Sequence, residues 1–286
     1  MVDGALLACS ADPDLYLVLV GPISIADEVI AVLPAADRSR VSVTGAVDTA
    51  DAPMSAARPG TTVGVAVEVV VRGEADALVS AGSSGATVTA AVLGLGRWVR
   101  RPPLAATLPG LAGPVVLLDV GASVDPSPPV LVQHAVLGAA YASAVLGIRQ
   151  PRVGLLSIGS EPDKGDRWRR SAFGRLGGTE LPEGARFVGN VEGFDVSRGG
   201  VADVVVTDGF TGNVLLKGIE GAYALAGGKM STETAPRAAA LLGVGGTVVV
   251  CHGEATGSEL ASGIGLAAHL HRIGAIARVT RSEVIT

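Results

Sequence analysis

Short apolar runs rich in Val, Leu and Ile recur at residues 15–20, 77–80, 115–119, 152–157, 202–207 and 247–251. Most are followed by glycine or by Ser, Thr or Asp turn chemistry, the punctuation expected of buried strands. Between them, apolar residues return at helical spacing over 63–73, 85–98, 129–147, 167–176, 213–226 and 258–272. Strand, loop and helix in repetition predict an α/β fold with a doubly wound, mostly parallel sheet. Ligands of such sheets sit beyond the carboxyl ends of the strands, so the loops that follow the strands hold the candidate chemistry. The closing residues 275–286 alternate Ile276, Val279 and Val284 with polar residues, which fits a last strand or a frayed tail equally.

Composition narrows this picture. Among 286 residues, 48% are hydrophobic and 17% charged, which excludes a disordered chain. The 40 glycines are roughly twice the usual ~7% and imply tight turns and close backbone approaches. With only 2 Trp, 3 Tyr and 4 Phe, the core is Val, Leu, Ala and Ile, which suits buried strands under small-faced helices. The net charge of −5 leaves no sequence-wide footprint for nucleic acid. Cys9 and Cys251 lie far apart with no C-x-x-C spacing, so neither a disulfide framework nor a zinc ribbon is indicated and a reducing cytoplasm fits. The apolar stretch 135–148 is shorter than the ~18 residues that span a bilayer, and no secretion signal opens the chain. No internal repeat or clean boundary divides the sequence, and residues 1–286 read as one domain.

Five strand-end loops stand out. Ser80-Ala81-Gly82-Ser83-Ser84-Gly85 opens a helix, where backbone N–H groups and hydroxyls can hold an anion; the simpler reading is an N-cap by Ser83 or Ser84. Asp119-Val120-Gly121-Ala122-Ser123-Val124-Asp125 places two carboxylates around a glycine turn, for ligand orientation or for capping. Ser157 to Asp166 carries Lys164 beside Gly165, a cation for a phosphate or a solvated lysine. Thr207-Asp208-Gly209-Phe210-Thr211-Gly212-Asn213 holds more polar, glycine-supported chemistry than a turn requires. Cys251-His252-Gly253 sets a histidine at a strand end, with too little convergence for a metal site. No G-x-G-x-x-G or G-x-S-x-G occurs, and Gly227-Gly228-Lys229-Met230 is not a P-loop.

These loops, with Ala75–Gly82, Leu118–Ala122, Pro151–Leu156, Gly189–Glu192 and above all Val204–Lys217, resemble the phosphate acyltransferases of bacterial phospholipid synthesis (PlsX) over most of the chain. The Thr-Asp-Gly-Phe-Thr-Gly-Asn run is the most specific element. The resemblance implies transfer of a fatty acyl group from acyl-carrier protein to inorganic phosphate, without cofactor or metal. A membrane glycerol-3-phosphate acyltransferase would use the acyl phosphate. It also implies a cytoplasmic homodimer with the three-layer αβα fold of the isocitrate and isopropylmalate dehydrogenase group. Carried over by motif, Lys164 and Asn213 are the catalytic candidates. Gly82, Ser83, Ser84, Gly85, Asp119, Asp208, Gly209, Thr211, Gly212 and His252 are the phosphate- and substrate-binding candidates.

The basic run that the family carries before its second helix is reduced here to Arg58-Pro59-Gly60-Thr61-Thr62, and the sequence departs from the family pattern in three further places. The usual opening strand and its Asp-Ala-Met-Gly-Gly-Asp loop have no counterpart, Ser83-Ser84 stands where Asn-Thr is usual, and the helical excursion after Lys217, associated with membrane contact, is short. Two further readings follow: a phosphotransacetylase-like transfer of short acyl groups between coenzyme A and phosphate, and a non-catalytic relative that binds phosphate or carrier protein.

Overall fold

The computed structural model describes residues 1–47, 53–56, 58–226, 238–253 and 255–281. The Gly227-Gly228-Lys229-Met230 run, the connector through Pro236, Glu254 and residues 282–286 lie outside the described residues. The described strands are β1 (Leu17–Gly21), β2 (Val41–Gly45), β3 (Ala77–Ser80), β4 (Leu104–Gly110), β5 (Gly113–Leu118), β6 (Arg152–Leu156), β7 (Arg186–Val191), β8 (Val204–Val206), β9 (Ala238–Leu241) and β10 (Thr247–Cys251). The described helices are α1 (Val2–Ala11), α2 (Ala26–Val32), α3 (Pro53–Ala56), α4 (Thr62–Val71), α5 (Ser84–Gly94), α6 (Pro128–Leu146), α7 (Arg167–Leu176), α8 (Gly193–Arg198), α9 (Gly209–Leu225), α10 (Gly257–Arg272) and α11 (Ala275–Thr280).

β1 and β2 pair in parallel as a small sheet, and the other eight strands follow the order β3-β10-β9-β4-β5-β8-β6-β7. β3 pairs in parallel with β10, and β5, β8, β6 and β7 pair in parallel with one another. Antiparallel β9 and β4 join the two flanks. The doubly wound α/β architecture is as the sequence predicts, but the sheet is mixed and its two parallel flanks run in opposite directions. Strand-end loops therefore divide between two edges of the sheet. The loops after β3 and β10 share one edge, and those after β5, β6, β7 and β8 share the other.

Two apolar clusters on the two faces of the sheet make three layers. Leu131, Ala135, Tyr141, Leu270 and Val279 lie in one cluster, from α6, α10 and α11. Val67, Ala91, Val196, Leu216 and Ile219 lie in the other, from α4, α5, α8 and α9. α6 has 19 residues, starts on Pro128 and stops at Gly147, whose φ of 66° is left-handed backbone that glycine adopts at little cost. It is long and apolar enough to cross a membrane, yet 61% of that length is buried within the fold, and His134 and Tyr141 are fully enclosed.

β2, β4, β7 and β9 escape the sequence pattern. β9 is Ala-Ala-Ala-Leu, helix-forming composition, and it is a strand because a central position between neighbours on both sides overrides local propensity. The chain end is also corrected: residues 275–280 form α11, neither a strand nor a frayed tail.

Candidate functional site

α9 runs from the end of β8 across one face of the sheet. Its start is fixed by Asp208, whose carboxylate accepts from the Thr211 N–H at 2.8 Å and hydroxyl at 2.7 Å. This is the capping chemistry a helix N-terminus calls for. Arg169 of α7 reaches over this turn, pairs with Asp208 and Asp166, and donates to Leu156 O at 2.9 Å and Thr207 Oγ1 at 3.2 Å. Burial pushes the Asp208 carboxyl up, but the Thr211 donors and the Arg169 guanidinium outweigh it and hold the group below the usual range. Asp208 and Thr211 thus build the scaffold of the turn.

Asp119 is enclosed, at 0% exposure, and its two oxygens accept from the N–H groups of Leu104, Gly121, Ala122 and Ser123 at 3.1, 3.0, 2.9 and 2.6 Å. Its predicted contact with substrate is corrected on this ground: its oxygens are spent on the β5–α6 loop. Burial pushes the carboxyl up, and His134 and the N–H donors pull against that. Burial outweighs them and holds the carboxyl above its usual range, with four N–H donors converging on it.

Gly209 and Gly212 are buried and let α9 seat on that loop. A Cβ on Gly209 would lie 2.8 Å from the Ser123 carbonyl, and one on Gly212 would collide with the Asp119 carbonyl. Both are sites of close approach between α9 and the β5–α6 loop.

Asn213 is half-buried and donates through Nδ2 to Val120 O at 3.0 Å. Asn213, Lys217 and Glu220 follow at i, i+4 and i+7, one face of α9 about 10 Å long at 1.5 Å per residue. Glu220 Oε1 lies 3.0 Å from His252 Nε2. This bond raises the imidazole above its ordinary value, opposed by burial and by the nearby Lys217 ammonium. Ser84, Val120, Leu216, Glu220, Val250 and His252 line a cavity of about 40 Å³ beneath α9. That is room for a few waters or one small anion.

Ser84 opens α5, an 11-residue helix whose N-cap Ser83 makes no side-chain capping bond. Gly82 and Ser83 are exposed, and Ser84 and Gly85 half-buried. The first N–H groups of α5 have no helical partner and point out of its N-terminus. The loops meet there: a Cβ on Gly253 would lie 3.7 Å from Ala81 O. The structure therefore brings together the Gly82–Gly85 loop, His252 and, from α9, Glu220, whereas Asn213 sits near the start of α9 against the β5–α6 loop. Lys164 is exposed on the opposite edge, its N–H donating to Glu161 O at 3.1 Å. Sequence reasoning missed Glu220 and Arg169 as site-building residues. The 213, 217, 220 spacing was a readable signal for the first, whereas Arg169 is one of four arginines in α7 and nothing local distinguishes it.

The chain matches the family described as "Fatty acid synthesis protein" over residues 1–240. It is 40% identical over 230 residues to a phosphate acyltransferase of Bacillus licheniformis, covering 78% of this chain and 67% of the relative. It is 37% identical over 298 residues to that of Pseudomonas savastanoi pv. phaseolicola, covering 92% and 86%. A relative from Desulfitobacterium hafniense is 50% identical over 159 residues, 55% of this chain and 46% of that protein. Among solved structures, the EutD phosphotransacetylase of Staphylococcus aureus aligns with a TM-score of 0.56 at 17% identity, covering 94% of this chain and 98% of that one. A 4-hydroxythreonine-4-phosphate dehydrogenase of Klebsiella pneumoniae gives 0.55 at 13%, covering 94% of each. At such identities these two share the fold, and the sequence matches carry the kinship: this chain belongs to the fatty acid synthesis protein family, whose matched relatives are phosphate acyltransferases.

Proposed function

We propose that this chain transfers a fatty acyl group from acyl-carrier protein to inorganic phosphate. The observation that carries the reading is the cleft beneath α9, where the N-terminus of α5 meets the His252–Glu220 pair. Phosphate sits at the α5 N–H groups with Lys217 as its cation, an arrangement that favours an anion without a metal. One phosphate oxygen forms the bond to the thioester carbon and the carbon–sulfur bond breaks. The second N–H of the Asn213 amide, free of Val120, faces the charge that develops on the carbonyl oxygen. Glu220 keeps His252 protonated to deliver a proton to the departing thiolate, which with a free pKa near ~8.5 needs only modest help. Lys164, on the other edge, meets the anionic substrate outside this cleft.

The acyl phosphate formed is a mixed anhydride, and a membrane glycerol-3-phosphate acyltransferase is its proposed consumer. The chain is proposed to work in the cytoplasm as a homodimer with at most peripheral membrane contact. Exposed Leu111 at the β4–β5 turn and Phe194 on α8, at 88% and 51% exposure, support a protein interface there.

The test is phosphate-dependent consumption of long-chain acyl-carrier protein by the purified chain, with hydroxylamine trapping of acyl phosphate and His252→Ala in parallel. Product that falls in the variant supports the reading. Turnover of short acyl-coenzyme A alone would replace it with the phosphotransacetylase reading, and no product from folded protein would overturn both.

A further inference from the structure

Residues 95–103 join α5 to β4 at the edge of the sheet where β5 ends, since Ala105 of β4 pairs with Leu118. The backbone of this loop is tied down along its length. The Trp98 N–H donates to Gly243 O at 3.1 Å and its indole to Val244 O at 3.2 Å. The Arg100 N–H donates to Gln133 Oε1 at 3.0 Å, and the Arg101 carbonyl lies 3.0 Å from His134 Nε2. Val99, Pro102 and Pro103 are buried, and Val99 packs so closely on Gly243 that a Cβ there would collide with it. A backbone pinned in this way presents its outward side chains from fixed positions and loses little further entropy when a partner binds.

Those outward side chains are the exposed arginines Arg97, Arg100 and Arg101. They are the only charged residues between Asp76 and Asp119, and neither α6 nor residues 238–253, on which the loop rests, contains an Asp or Glu. Asp119 itself is enclosed. Arg97 spans the loop and donates to Arg100 O at 2.8 Å. Among the described residues no carboxylate pairs with any of the three, although the chain as a whole carries a net charge of −5. Three guanidinium groups held close together repel one another, and their planar forks match carboxylates brought by another molecule.

We propose that residues 97–101 are the docking surface for the acyl-carrier protein of the reaction proposed above, a reading on which this inference rests, and that a carboxylate-rich face of the carrier meets the three guanidinium groups. Position supports this. Arg101 lies three residues before Leu104, at most about 10 Å along the chain, and Leu104 lines the cleft beneath α9. Leu104 O accepts from the Val120 N–H at 3.0 Å, and Val120 O holds Asn213. A carrier seated on the loop therefore stands beside the Val120–Asn213 end of the cleft, where its thioester is needed, and on the same edge as Lys164. A lipid surface fits less well. A segment seated in a membrane needs several exposed apolar side chains beside its cations, and within residues 93–103 Leu93, at 63% exposure, is the one such side chain.

The experiment measures binding and turnover separately on the full chain. Fluorescence anisotropy with labelled long-chain acyl-carrier protein, in the absence of phosphate, should give an affinity that falls as salt rises. Combining Arg100→Glu with Arg101→Glu should weaken it at least tenfold. Steady-state kinetics of the same variant should show a KM for the carrier raised at least tenfold, with kcat and the KM for phosphate unchanged. Arg100→Lys with Arg101→Lys, which keeps the charge, should stay within about threefold of the parent, and Arg175→Glu, at an exposed arginine of α7, should change neither readout. Should the charge reversal not fold, Arg100→Gln with Arg101→Gln should shift both readouts in the same direction by less. Carrier binding within twofold of the parent in folded reversal or glutamine variants overturns the proposal, even where turnover supports acyl transfer to phosphate. So does arginine-dependent binding of phosphatidylglycerol vesicles with none of the carrier, which would assign the loop to a lipid surface. Arginine-dependent carrier binding without turnover would leave the docking surface standing and overturn the transfer reading instead.

Discussion

Asp119→Asn tests the whole account of how α9 is seated. The asparagine oxygen can keep the three N–H groups now on Oδ1, those of Leu104, Gly121 and Ala122. Its NH₂ then faces the Ser123 N–H that Oδ2 accepts at 2.6 Å, donor against donor. One charge-assisted bond, worth about 1.5–3 kcal/mol, is lost, and the stranded buried N–H adds about 1–3 kcal/mol. Relief from burying a charge offsets part of this, leaving about 3 kcal/mol of destabilisation. In urea, with a slope near ~3 kcal/mol/M, the midpoint should fall by about 1 M. The consequence reaches the site, because Ser123 O holds the Gly209 N–H at 2.8 Å and Val120 O holds Asn213. Turnover should therefore fall even where the variant is folded. A midpoint within ~0.2 M of the parent would show Asp119 to be neutral in the fold and the loop to be held by other means.

Glu220→Gln should move the basic limb of the turnover profile to lower pH. His252 acts as an acid below its raised value and loses its proton as pH rises through it, and the variant lowers that value; superimposable profiles would remove the pair from the chemistry. Asn213→Ala should cut kcat by roughly 10² as one oriented donor is lost, read by steady-state kinetics. Lys217→Ala should weaken phosphate saturation, whereas Lys164→Ala should raise KM for the carrier-bound substrate with kcat unchanged; the reverse split would exchange their roles. Gly212→Ala should cost about 1–3 kcal/mol by driving a methyl group into the Asp119 carbonyl, measured by thermal melting.

The physical reason some site residues were legible and others misassigned lies in what a loop sequence encodes. Thr207–Asn213 announced itself through polar and glycine density after a buried strand, but that density serves two ends. Asn213 donates to Val120 O and keeps a second amide N–H, while Asp208, Thr211, Gly209 and Gly212 build the turn. Both jobs demand small or hydrogen-bonding residues, so sequence cannot separate them. Asp119 carried the same ambiguity, resolved only by the four N–H groups that converge on it from residues 104, 121, 122 and 123.

The sequence by itself determined the strand–helix alternation, the buried Val and Leu strands β3, β5, β6, β8 and β10, and the motif that places the chain in its family. These rest on periodicity and local composition, which each segment carries alone. The tertiary structure decided the rest. Ala-Ala-Ala-Leu became a strand because its neighbours on both sides offered ladders. The antiparallel pair β4 and β9 reversed one flank and sent the strand-end loops to opposite edges. Glu220 met His252 only because α9 crosses the sheet. Strand order and direction arise from pairings between segments remote in the chain, so no local pattern records them.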